Sequence, residues 1–165
     1  MSRWMSWRGH AWLGLAARLY LGFVFLMACF HKLLHPDVFA LDVATYQFLP
    51  LWAINGFALV LPWVELLAGI MLVIGFRVRA ASLLVALMMV SFVISLLWAL
   101  HLDLDMSCGC FASQGATQDD PISWRTIVRD GVWLVQALYV LFFDREPLGV
   151  ERLVNAVRKR RAAQA

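Results

Sequence analysis

Residues 53–101 read AINGFALVLPWVELLAGIMLVIGF, then RVR, then AASLLVALMMVSFVISLLWALH. The first run, Ala53 to Phe76, carries one charge, Glu65, and the second, Ala80 to His101, carries none before its terminal histidine. A helix needs about 20 predominantly apolar residues to cross the hydrocarbon of a bilayer. Two such runs separated by Arg77-Val78-Arg79 therefore predict a tight transmembrane hairpin. Neither run alternates with the period of two expected for a barrel strand.

Two more runs of the same kind lie on either side, Trp12 to Leu34 and Trp124 to Phe143. Composition agrees with a membrane protein, since 62% of the 165 residues are hydrophobic and 15% charged, against about 45–50% and 25% in soluble domains. The expectation is all-α: one polytopic domain, residues 1–165, built as a four-transmembrane-helix antiparallel bundle. Its spans are 12–34, 53–76, 80–101 and 124–143, followed by a basic tail, 144–165. Because Arg18 interrupts the first run, that run reads as an uncleaved helix and not as a signal peptide. For the same reason Leu26-Met27-Ala28-Cys29 is a poor lipidation motif.

The net charge of +3 and pI near 9.0 carry meaning through position. Ten of the 14 Lys and Arg fall before the first span, between the second and third, or after the fourth. The connections 35–52 and 102–123 hold none and instead carry Asp37, Asp42, Asp103, Asp105, Asp119 and Asp120. By the positive-inside rule both termini are expected in the cytoplasm, in a bacterial inner membrane. The basic residues are thereby assigned to topology, and no nucleic-acid partner is expected. The tail from Glu151 to Arg161 reads either as part of that topology signal or as an interfacial helix that holds anionic membrane lipid. Trp12, Trp52, Trp98 and Trp124 fall at span ends, as aromatic-belt residues do.

Cys108-Gly109-Cys110 lies in the connection after the third span, on the side where disulfides are permitted. A bridge between cysteines two apart bends the backbone sharply, and the strain places it in the exchange-competent class. Cys29, near the outer end of the first span, is the third cysteine. It suggests a structural bridge to Cys108 or Cys110, or a buried thiol that packs as a small hydrophobe. A Cu(I) site drawing on His31, His35 or His101 is the third reading.

Charges inside a span are costly and turn toward the bundle interior. Arg18, Gly22, Phe25, Cys29 and Lys32 share one stripe of the first span at 100° per residue, with His31 pointing away, and Pro62, Glu65 and Gly69 share one of the second. The last span presents Arg125, Arg129 and Gln136 on one face, with Asp130 about 100° aside. Arg18 and Arg129 are the expected partners of Glu65, in a network that fixes helix register or serves as a proton path. Pro62 should kink its helix and open a small pocket. Ser91 and Ser95 are expected to bond back to their own helix, and Met88 and Met89 to face lipid or core.

Asp105-Met106-Ser107-Cys108-Gly109-Cys110-Phe111, with Pro121-Ile122-Ser123-Trp124 and Arg129-Asp130 after it, resembles the methylamine utilisation protein MauE family within the wider DoxX-like redox-associated membrane proteins. Tyr46-Gln47-Phe48-Leu49-Pro50, the run from Leu61 to Gly69, and Cys29-Phe30-His31-Lys32 with Pro36 and Phe39 are similar to the family's other motifs. The likeness covers about residues 14–143. It departs at Ala112 and at Cys29, where the family usually has glycine. The resemblance implies a membrane protein that supports disulfide formation or maturation of a periplasmic client, beside a thioredoxin-like partner, with Cys108 and Cys110 as the exchanging pair. Lys32, Glu65 and Arg129 also match motif positions. Arg125, at the start of the last helix, is placed to stabilise a thiolate. No motif specifies a cofactor; a quinone near Glu65 and Pro62 is the candidate electron acceptor. The rival reading is a non-enzymatic assembly or scaffold subunit with a permanent bridge.

Overall fold

The structure, a computed structural model, describes residues 9–102, 124–144, 149–151 and 154. Among these the element order is α1 (Gly9–Leu34), α2 (Pro36–Thr45), α3 (Leu51–Ile74), α4 (Val78–His101) and α5 (Trp124–Phe143), with no strand. Four of the five, all but α2, are long and apolar enough to cross a membrane. The second and third spans begin two residues earlier than expected. Gly75 takes φ 70°, and its left-handed conformation closes α3 by turning the Phe76 N–H back to the Met71 carbonyl at 3.0 Å.

Residues 35–52 are the main departure from expectation. Most of this connection is helix α2. Pro36 starts it, with φ already set for a helix and no N–H to orphan, and Asp37 sits in its first turn against the positive end of the helix dipole. Phe39, Asp42, Val43 and Tyr46 recur at helical spacing, and this face turns inward against the bundle.

The bundle is two antiparallel pairs, with α1 packed chiefly on α3 and α4 on α5. In lipid, apolar surface alone does not drive helices together, so close approach through small residues takes over. At the α1–α3 crossing a Cβ added to Gly22 would lie 3.1 Å from the Gly69 carbonyl oxygen, and one added to Gly69 would lie 3.2 Å from that of Gly22. Around this crossing Leu21, Phe25, Ala68, Leu72, Val85, Ala137 and Val140 form the main core. The large apolar side chains left exposed, such as Leu59, Leu87 and Val135, occupy the outward faces of the spans, where a bilayer and not water is the matching solvent. The end tryptophans 12, 52, 98 and 124 are exposed as belt residues would be.

The end of the bundle where α1 begins and α5 ends is held by polar contacts. Arg18 and Asp144, both buried, stand 3.6 Å apart. Residues 149–151 cross the α3–α4 turn: the Glu151 N–H donates to the Gly75 carbonyl at 3.0 Å, and its carboxylate accepts from the Val78 N–H at 3.2 Å. Glu151 thus acts from a distant part of the chain as an N-terminal cap for α4, whose own cap residue, Arg77, offers no side-chain bond.

Candidate functional site

The opposite end of the bundle, beneath α2, holds a second set of buried charges. Lys32 lies in the last turn of α1, and its ammonium donates to both carboxylate oxygens of Glu65 in α3, at 2.7 and 3.0 Å. Both side chains are less than a tenth exposed. The Phe39 ring of α2 covers the same ammonium, 4.9 Å from its centroid. Three helices therefore meet at one cation.

This pairing corrects the sequence expectation that Arg18 or Arg129 neutralises Glu65. Arg18 stands at the other end of the bundle with Asp144, and Arg129 bonds its neighbour Asp130 at 3.1 Å. Helical phase explains the outcome. Lys32 and Glu65 both lie on inward stripes that meet across the Gly22–Gly69 crossing, whereas Arg129 stands on the margin of α5, 38% exposed at its side chain, with its guanidinium over the Trp133 ring. Asp130, not the arginine face, is the inward residue of that turn, fully buried.

Lys32, Glu65 and Asp130 line one cavity of about 180 Å³, enclosed by residues of all five helices and of the α2–α3 connection. Its walls are otherwise mostly apolar and aromatic, including Phe25, Phe39, Phe92 and Trp133, with Asp42 and Tyr46 contributed by α2 and its C-cap. Burial pushes the Asp42 carboxyl above its ordinary 3.8, a shift that His31 and Lys32 partly oppose. Burial, followed by the nearby Asp42 and Asp130, holds the Tyr46 phenol well above its ordinary 10. Tyr46 is therefore a neutral hydrogen-bonding group at any physiological pH.

The remaining expected residues are placed as follows. Cys29 is a buried free thiol whose Sγ donates to the Leu26 carbonyl at 3.2 Å. Arg125 is exposed in the first turn of α5. Gln136 ties α5 to α1 by donating to the Ala17 carbonyl at 3.1 Å. The His31 and His35 rings are 4.8 Å apart, and among the described residues no group of three His, Cys, Asp or Glu is arranged to hold a metal ion. Ser91 and Ser95 bond back to Met88 and Ser91 as expected, yet both also line the cavity. Cys108 and Cys110 lie outside the described residues.

Sequence reasoning missed the contribution of α2: Phe39, Asp42 and Tyr46. The signal was available in the spacing of those residues after Pro36, but the Asp and Pro content of the segment reads equally as a loop.

A sequence profile of the methylamine utilisation protein MauE family matches residues 10–143. The methylamine utilization protein MauE of Paracoccus denitrificans is 33% identical over 126 residues, which is 76% of this chain and 66% of that protein, just under two thirds of its length. No solved structure matches the chain. The matched region runs through α1 to α5 and so contains both the Lys32–Glu65 pair and the Cys-Gly-Cys connection. The chain is a multi-pass membrane protein of the MauE family.

Proposed function

We propose that this protein acts in methylamine utilisation as a bacterial inner-membrane component that supports thiol–disulfide exchange during maturation of a periplasmic client. Both termini face the cytoplasm in this reading, as the basic residues require, and the Cys108–Cys110 connection faces the periplasm. The observation that carries the reading is the position of Cys108-Gly109-Cys110 within the family match. In the sequence the pair falls between α4 and α5, and the end of α4 and the start of α5 lie at the end of the bundle that holds the Lys32–Glu65 pair and the cavity.

In the exchange, a thiolate of the partner, a thioredoxin-like protein or the client itself, attacks the Cys108–Cys110 disulfide and forms a mixed disulfide. The partner's second thiolate then displaces the remaining sulfur. The partner leaves oxidised by two electrons, and Cys108 and Cys110 are left as two thiols. Arg125 in the first turn of α5 and the positive end of that helix favour the thiolate forms.

The test is growth on methylamine of a bacterium lacking its own protein of this family and expressing this chain with Cys108→Ser or Cys110→Ser. The proposal expects growth to be lost while the amount of protein in the membrane is unchanged. Normal growth of both variants would overturn it. So would loss of the protein itself, which marks a structural bridge in a scaffold subunit.

A further inference from the structure

We propose that the cavity between the α1–α3 and α4–α5 pairs binds the ring of a membrane-soluble quinone or quinol. Three features of the site select this chemistry. The first is size. A cavity of about 180 Å³ is somewhat larger than the roughly 150 Å³ apolar cavity that accepts benzene. It holds one six-membered ring with its oxygens and small substituents, and no long chain.

Access from the membrane is the second feature. Phe57 of α3 and Ser91 of α4 line the cavity and are also exposed on the outer surface of the bundle. Ser91 stands ten residues before the end of α4, roughly 15 Å along the helix axis, at the depth of hydrocarbon. A ligand whose ring sits inside can therefore leave its tail between α3 and α4, in lipid.

The third is polarity. Lys32 is balanced by Glu65 and Asp130 by Arg129, and Asp42 adds a further carboxylate to the lining, so a fatty-acid anion gains no free counter-charge there. A neutral ligand avoids that mismatch. Asp130 Oδ2 is buried and has no hydrogen-bond partner among the described residues, a costly state for a carboxylate oxygen. A quinol hydroxyl would satisfy it. The Lys32 ammonium, which has three N–H groups, supplies a donor for a ring oxygen, and the aromatic side chains of Phe92 and Trp133 line the cavity.

The binding claim is independent of the thiol chemistry; its redox consequence rests on the exchange reading above. Oxidation of the Cys108 and Cys110 thiols to one disulfide releases two electrons and two protons. These are the two electrons and two protons that convert a quinone into a quinol.

The test uses the full chain purified in detergent, with a short-tailed ubiquinone analogue as ligand and quenching of tryptophan fluorescence as readout. An azido derivative of the same quinone maps the site by photolabelling and mass spectrometry. The expected result is saturable binding, with label on the α3, α4 and α5 segments that line the cavity. Ala28→Phe, which fills the cavity from α1, and Ser91→Trp, which blocks its opening, should each weaken binding by about tenfold or more. Leu138→Trp on the outer face of α5 should not. Cys108→Ser with Cys110→Ser should leave binding intact, so that failure of the thiol reading and failure of this one are separable. Non-saturable quenching, label confined to outward faces, or unchanged affinity in both Ala28→Phe and Ser91→Trp would overturn the proposal.

Discussion

Lys32 and Glu65, 33 residues apart in sequence, form a two-pronged ion pair at 2.7 and 3.0 Å inside the bundle. Breaking such a pair leaves one uncompensated charge in a medium that solvates it poorly, at a cost of about 3–5 kcal/mol. Replacing both partners by apolar residues removes the charge altogether. Lys32→Met and Glu65→Leu should therefore each lower the unfolding midpoint in detergent strongly. Lys32→Met combined with Glu65→Leu should lose clearly less than the sum of the single changes. Additive losses would show that the two side chains do not act as a pair.

The α1–α3 crossing depends on the absence of side chains. A Cβ at Gly22 would lie 2.8 Å from Val73 and 3.1 Å from the Gly69 carbonyl oxygen, whereas one at Gly56 meets nothing within 4 Å. Gly22→Leu should destabilise the bundle by the 1–3 kcal/mol, roughly, that overpacking costs. Gly56→Ala, in the same α3 helix that carries Gly69, should be neutral or stabilising by up to about 1 kcal/mol. Thermal unfolding of the two variants in one detergent compares them directly.

Glu151 secures the start of α4 through the Val78 N–H. Glu151→Ala should cost about 1 kcal/mol, as loss of a helix cap does, and should make the segment beyond Asp144 easier to cleave. Limited proteolysis from the side of the chain termini measures this. Glu151→Asp, one methylene shorter, should restore little.

The Asp42 carboxyl is raised above 3.8 chiefly by burial. A group whose folded value is raised binds protons more tightly in the folded state, so its stabilising contribution is complete below the unfolded value and is lost as pH rises through the folded one. Docking of α2 should accordingly weaken as pH rises above about 4. Asp42→Asn, which imitates the protonated form, should remove this dependence and stabilise α2 at neutral pH. Hydrogen exchange of residues 36–45 as a function of pH reads both effects.

The architecture was legible because span length and hydropathy are set by bilayer thickness, a constraint that acts on each segment independently of its neighbours. All four spans lie within two residues of their expected limits. The inward stripes of α1 and α3 were legible for the same local reason, since helical phase follows from spacing. Pairing was not. Which cation meets Glu65 depends on the rotation and height of two helices set by the Gly22–Gly69 contact, and counting the nearby arginines could not supply that. Nor was the role of Asp130. Its place 100° from Arg129 was known from the sequence, but only the docking of α5 decides which of the two faces inward. Helix α2 was hidden because ten residues that begin with Pro and Asp fit a loop as well as a short amphipathic helix.

The central claim is that Cys108 and Cys110 form an exchanging pair on the periplasmic face. It is tested most directly by labelling intact cells with a membrane-impermeant thiol reagent, before and after oxidative and reductive challenge, and assigning the labelled cysteines by mass spectrometry. The account predicts that Cys108 and Cys110 shift between labelled and protected forms with the challenge while buried Cys29 stays unlabelled. It also predicts that a chain with Cys110→Ser traps a mixed disulfide through Cys108. If Cys108 and Cys110 stay locked in one state under every challenge, and neither single-cysteine variant captures a partner, the account is contradicted.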